Sequence, residues 1–239
     1  MSMLGQWSVF LDDPGGGYAT YWQWILGAWT WTLSVAGAAL VVALVAGLTV
    51  GVVRTLPNSP MWVRLGNYWV ELFRNIPLLV QIFLWYHVVP VFVPGMKQVP
   101  AFILVVLALG LFTSARIAEQ FRAGIQALPK GQSYAGMAMG FTTFQYYRYV
   151  LLPMAFRIIL PPLTSETMNI IKNSSVAFAV GISELTWFAL QVGEETSRPM
   201  IIYTAVTILY MISAFSVNRV MAFVEKSVRI PGFFVAGKK

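Results

Sequence analysis

From Ile25 to Val53 the sequence carries no charged side chain. A helix needs roughly 20 mainly apolar residues to cross the hydrocarbon core of a bilayer, so this run is long enough to cross with a tilt. Trp22, Trp24, Trp29 and Trp31 mark one end of it and Arg54 the other. Further apolar stretches follow from about Ile76 to Val93, Pro100 to Ala118, Met154 to Val180 and Met200 to Val224. The second and third are joined by a tight turn at Pro94 and Gly95, and the fourth is interrupted by Pro161 and Pro162. Hydrophobic residues make up 58% of the chain and charged residues 10%, where a soluble domain has roughly a quarter charged. The expected fold is therefore all-α and integral to the membrane, with five transmembrane helices in a domain covering 25–230.

The positive charges orient these spans. Arg54, Arg64 and Arg74 follow the first, Arg122, Lys130 and Arg148 the third, and Lys226, Arg229, Lys238 and Lys239 the fifth. Cytoplasmic connections carry the excess of Lys and Arg, which places the N-terminus outside and the C-terminus inside. The opposite side holds Asp12, Asp13, Lys97, Glu184, Glu194, Glu195 and Arg198. A net charge of +7 raises the question of nucleic acid, but basic residues dispersed between apolar runs read as membrane topology, not as a nucleic-acid surface. Residues 1–24 lack a basic segment followed by a short apolar core, so no cleavable signal is expected. They read as a periplasmic, interfacial element with Trp7, Phe10, Tyr18 and Tyr21 at headgroup depth.

Gly47 and Gly51 form a small-xxx-small pair, which suits either close helix contact or a glycine-rich helix facing lipid. Glu71-Leu-Phe-Arg74 and Glu119-Gln-Phe-Arg122 echo one another at two cytoplasmic boundaries, too briefly to argue for duplication.

The connection 119–153 is too polar to span and too long for an idle turn. It reads as two short helices, with Pro129 in the first turn of one, Gly140 ending it, and Thr142 or Thr143 capping the next. Phe144, Tyr146, Tyr147 and Tyr149 follow, and these rings suit either a docked partner or the membrane surface. Small residues let a helix enter a narrow cleft, and Gly140 permits a backbone reversal.

Tyr134-Ala135-Gly136, then Gly140, then Val150-Leu151-Leu152-Pro153 resembles the EAA loop of ABC-importer permeases of bacteria, with matching spacing throughout. Tyr134 and Gly136 stand where that family usually has glutamate and a second alanine. Glu71 to Gln81, Glu119 to Ile125, Leu128 to Gln132 and Ile171 to Ser175 resemble further blocks of the polar amino acid uptake permeases, Asn173 standing where many members carry aspartate. The resemblance covers nearly the whole chain and is most similar to a glutamate/aspartate import permease subunit. It implies a type I importer permease fold in a bacterial inner membrane. It also implies that 119–153 is the coupling loop for a separate ATPase, with Tyr134, Ala135, Gly136, Gly140, Leu152 and Pro153 in its motif. Two ATPase subunits using ATP and magnesium, a homologous permease partner and a periplasmic binding protein are implied as partners, with an amino acid as cargo. The chain itself is expected to hold no cofactor and to hydrolyse nothing.

Ionisable groups inside spans are costly and usually face a cavity or a partner. Arg116 is one candidate for the substrate path, since guanidinium holds carboxylate at two points. Snorkelling to the interface, or pairing with Glu119 or Gln120, is the slightly favoured reading of it. Glu166, Asn169 and Asn173 recur at helical spacing as a polar stripe that either lines the path or bonds across a dimer interface. Lys172 lies close to it, and His87 between Tyr86 and Val88 reads as a packing or interfacial residue.

Other functions find little support. With no cysteine and one histidine, thiolate and multi-histidine metal sites are excluded, and no catalytic constellation is visible. Gly232, Gly237 and Lys238 imitate a phosphate-binding loop, but Lys239 replaces its Ser or Thr and no helix follows. Residues 231–239 read instead as a basic cytoplasmic tail. An ion-coupled secondary transporter or channel remains the rival, resting on Glu166 alone.

Overall fold

The computed structural model describes residues 7–15 and 17–228. The tail 231–239, with its Gly232 to Lys239 near-match, lies outside the described residues, as do Arg229 and Gly16. Among the described residues every regular element is helical. We number the helices α1 (Tyr21–Val53), α2 (Pro60–Asn75), α3 (Leu78–Phe92), α4 (Ala101–Gln126), α5 (Lys130–Ala138), α6 (Thr143–Val180), α7 (Leu185–Glu195) and α8 (Pro199–Val228).

Helix α1 starts four residues before the expected Ile25 because the Thr20 side chain accepts from the Gln23 amide and caps it. Its buried face repeats small residues at nearly every fourth position: Ala28, Thr32, Ala36, Ala39, Ala43, Gly47 and Gly51. That ridge lies on α4. A Cβ at Gly47 would sit 2.6 Å from Ile117 and one at Gly51 2.5 Å from Phe121, while Gly110 approaches Val42 as closely from the other side. The glycine pair is thus an intramolecular contact. The matched order of these contacts shows that α1 and α4 run parallel, so the chain between them must return once.

The return differs from the expected span 76–93. Pro60–Asn75 is a helix of its own, bent 105° from Leu78–Phe92. Its Val70 and Phe73 pack toward Ala115 and Ala118 of α4 and its Gly66 lies against Arg54 and Val50, while Trp62, Leu65 and Tyr68 stay exposed. Ile76 and Pro77 make the corner, and the buried Gln81 side chain closes it by donating to the carbonyls of Phe73 (2.8 Å) and Ile76 (3.0 Å). These are carbonyls that a helix C-terminus leaves without partners.

Beyond α4 the chain doubles back, with Gly124 against Ala155 and Ile159 placing α6 antiparallel to α4. The expected break at Pro161 and Pro162 does not occur, since helix runs unbroken over Leu152–Asn173 with both prolines exposed. Prolines deprive the carbonyls of Arg157 and Ile158 of their usual donors, which membrane helices tolerate. The real interruption comes at Gly181, with φ +79°, after a 3-10 stretch Ser174–Val180. Glu184, one of the charges counted toward the outer side, is fully buried in the bundle (0% exposed). Its carboxylate accepts from the amides of Thr186 and Trp187 and from the Tyr210 hydroxyl, and Thr32 takes the Leu185 amide. Together they satisfy the free N–H groups and the positive end of α7 inside the bundle. Helices α6 and α7 meet at 55°, and α8 returns along α7.

Among the described residues three helices are long and apolar enough to cross a membrane, or up to five if each bent pair counts as one crossing. In the N-terminal segment Phe10 and Tyr21 pack inside the protein with Ile25 and Phe188, leaving Trp7 and Tyr18 exposed. Headgroup contact therefore fits only two of the four rings.

Candidate functional site: the helical loop and the polar seam

Helix α4 continues to Gln126, so Glu119–Gln126 belong to its last turns and the loop proper begins at Ala127. Pro129 sits at the N-cap of α5, one place before the expected first turn. At the other end Gly140 takes φ +81°. The Phe141 amide donates to the Gly136 carbonyl (3.1 Å) and the Gly140 amide to that of Met137 (3.0 Å), the paired bonds of a Schellman ending. Thr142 then opens α6 with a capping box: its side chain accepts from the Gln145 amide (3.3 Å) and Gln145 Oε1 accepts from the Thr142 amide (2.9 Å).

This reversal folds α5 onto α6. A Cβ at Gly136 would lie 3.0 Å from the Tyr146 ring, so the small residue is what lets the helix seat there. Tyr134 (64% exposed), Ala135 and Met139 face away from the bundle, and so do Phe144 and Tyr149 farther on. Of the four rings expected in this loop, Tyr146 and Tyr147 are buried. The Tyr147 hydroxyl donates to the Thr55 carbonyl at 2.7 Å, tying the loop to the end of α1. Leu152 is half-buried and Pro153 exposed, so the loop is held just before them, at the buried Tyr147 and Leu151. The stretch Tyr147–Leu151 is π-helical, and its wider turn rotates the side chains that follow. Between α5 and the end of α1 lies a cleft of about 630 Å³ lined by Arg54, Ser133, Met137 and Phe141.

Beneath the loop sits an ionic node that sequence reasoning missed. Glu119 receives Arg54 (2.9 Å), Arg122 (3.0 Å) and, more distantly, Arg74 (3.6 Å). Arg54, with 7% of its side chain exposed, also donates to Asn67 at 2.8 Å. One carboxylate thereby joins α1, α2 and α4 where they approach the loop. The echo between Glu71-Leu-Phe-Arg74 and Glu119-Gln-Phe-Arg122 was the available signal, since both arginines converge on Glu119.

The substrate-path candidates converge elsewhere. Arg116 lies ten residues before the end of α4. It pairs with neither Glu119 nor Gln120. Its Nε donates to Glu166 Oε2 of α6 at 2.8 Å, and its guanidinium stacks over the Phe112 ring at 4.8 Å. Gln120 reaches the Pro162 carbonyl at 3.5 Å one turn along the same seam. Asn169 and Asn173 continue the stripe half-buried. Lys172 is exposed beside it, and His87 is exposed against the rings of Phe83 and Tyr86. Among the described residues no His, Asp or Glu cluster could hold a metal.

A family model described as the binding-protein-dependent transport system inner membrane component matches residues 43–230. The chain is 41% identical to the glutamate/aspartate import permease protein GltJ of Escherichia coli (strain K12), over 97% of this chain and 98% of that one. It is 35% identical to the probable glutamine ABC transporter permease protein GlnM of Bacillus subtilis (strain 168), over 82% and 88%. Among solved structures it is similar to an amino acid ABC transporter with histidines, with a TM-score of 0.75 and 28% identity over 87% of this chain and 95% of that one.

Proposed function

Because the chain belongs to the family of binding-protein-dependent transport system inner membrane components, we propose that it is the permease subunit of an importer that carries glutamate and aspartate into the cytoplasm. In this reading the ATP, with its magnesium, is bound and hydrolysed by separate subunits. The observation that carries it is the form of α5: a short helix with Tyr134 and Ala135 turned outward, held through Gly136 on Tyr146 and closed by Gly140. Such a helix presents a rigid ridge to a partner while its base is tied to α1, α4 and α6. Movement imposed on it by an ATPase reaches the spans through Tyr147–Thr55 and the Glu119 node. Likeness to GltJ over nearly the full length of both chains supports the acidic cargo.

Two ATPase subunits dock on this loop and on its counterpart in a homologous permease, and a periplasmic binding protein delivers the amino acid. The N-terminus is outside and the C-terminus inside, as the positive charges near Arg54, Arg122 and Lys226 favour. Arg116, Glu166, Asn169 and Asn173 line the path along the α4–α6 seam.

Gly140→Pro tests the coupling role. Proline fixes φ near −65° and removes the amide that donates to Met137, so it cannot adopt the +81° turn. Co-purification of the ATPase and ATP-driven uptake should both fall. Unchanged uptake in that variant overturns the assignment of the loop.

A further inference from the structure

The seam between α4 and α6 holds an ion pair that is used only in part. Arg116 gives its Nε to Glu166 Oε2 at 2.8 Å. No acceptor meets its two terminal nitrogens among the described residues, and Nη2 is enclosed without one. A guanidinium offers five donors in a planar fork, and of the two terminal nitrogens Nη1 is the one left open to a carboxylate oxygen. The side chain is 32% exposed, so Nη1 is within reach of a solute although Nη2 is not, whereas Glu166 is 10% exposed. Asn169 and Asn173, the next polar positions on the same face of α6, likewise have no hydrogen-bond partner, and neither does the neighbouring Lys172.

Charge balance gives this arrangement its meaning. An isolated Arg inside a span is costly and binds an anion tightly, while a site that passes its cargo must also release it. Glu166 cancels the charge of Arg116 without occupying the donors a carboxylate would use. Removing one partner leaves the other uncompensated, so each single change has a definite sign.

We infer that the Arg116–Glu166 pair is the charge selector of the translocation path: the open Nη1 of the guanidinium takes the side-chain carboxylate of an acidic amino acid, and Glu166 weakens that grip enough for the substrate to move on. The inference rests on the acidic-importer reading above. It assigns Glu166 a tuning role and makes discrimination between an acid and its amide a property of this chain as well as of a binding protein.

The test uses the complete permease–ATPase complex, with radiolabelled glutamate and glutamine as probes. Equilibrium binding is measured without binding protein and ATP-driven uptake with it. Glu166→Gln keeps an acceptor for Arg116 Nε but removes the opposing charge, so glutamate should bind about tenfold more tightly and turn over more slowly. Arg116→Gln should weaken glutamate binding by about ten- to hundredfold, the range of a hydrogen bond to a charged group, and should leave glutamine binding little changed. The double variant R116M/E166M removes both charges at once and avoids a bare buried ion. If it assembles and binds glutamate no better than glutamine, the pair is the selector. Retention of the original preference in the double variant, or unaltered glutamate affinity in both single variants, overturns the inference while leaving an ATP-driven importer intact. Absence of ATP-dependent glutamate uptake by the unaltered complex instead overturns the reading on which the inference stands, and the inference with it.

Discussion

The parallel crossing of α1 and α4 makes a quantitative prediction when one substitution is placed at two glycines. A Cβ at Gly51 would meet Phe121 Cβ at 2.5 Å and the Ala118 carbonyl oxygen at 2.9 Å. Carbon atoms prefer about 3.5 to 4.0 Å, so Gly51→Val forces the two helices apart by roughly 1 Å before its methyl groups are accommodated. Gly47 shares the crossing, with Ile117 at 2.6 Å from its Cβ position, and cannot absorb the shift. Overpacking of this kind costs about 1–3 kcal/mol, and the upper end applies because two backbones are in contact. Gly37 lies on the exposed side of the same helix, and nothing stands within 4 Å of its Cβ position. Gly37→Val adds the same side chain in open space and should change stability by less than about 0.5 kcal/mol. In a domain of this size about 1 kcal/mol moves Tm by roughly 2–4 °C. Thermal unfolding of the detergent-solubilised complex, followed by tryptophan fluorescence, should therefore show Gly51→Val about 6–12 °C below Gly37→Val. Equal midpoints for the two variants refute the close crossing and the helix register built on it.

Three further outcomes follow from the loop and its supports. Arg54→Met removes the bonds to Glu119 and Asn67 but leaves Glu119 with Arg122, so a loss of about 2 kcal/mol is expected, measured as a lower Tm of the complex. Tyr147→Phe loses one hydroxyl bond to Thr55, about 1 kcal/mol, and amide hydrogen exchange in the 130–146 segment should quicken while α1 and α4 stay protected. The chain has no cysteine, so single cysteines at positions 97 and 134 report sidedness directly. An impermeant maleimide applied from outside should label Lys97→Cys and spare Tyr134→Cys, and the reverse pattern would invert the assigned orientation.

What the sequence made legible divides along a physical line between local and distant causes. Helices α1, α4 and α8 were visible because an unbroken apolar run in lipid has few alternatives. The turn at Gly140 and the cap at Thr142 were visible because their hydrogen bonds close within a few residues. Helix α2 was hidden by its amphipathicity: Arg64, Glu71 and Arg74 looked like loop charges, while Val70 and Phe73 faced α4. Prolines 161 and 162 were weighed by the rule for helices in water, and the break fell instead at Gly181. Glu184 could not be placed, because its burial depends on helix α7 starting inside the bundle and needing an acceptor. Glu166 lies 50 residues from Arg116, and Arg54 lies 65 from Glu119, and only the register between helices brings these pairs together.

The most direct test of the central claim is uptake by proteoliposomes containing this chain, its partner permease, the ATPase and the binding protein. With ATP and magnesium on the ATPase side and no ion gradient, radiolabelled glutamate should accumulate, and it should fail to do so when ATP is replaced by a non-hydrolysable analogue. Accumulation that follows an imposed proton gradient and ignores ATP would contradict the account and establish an ion-coupled transporter in its place.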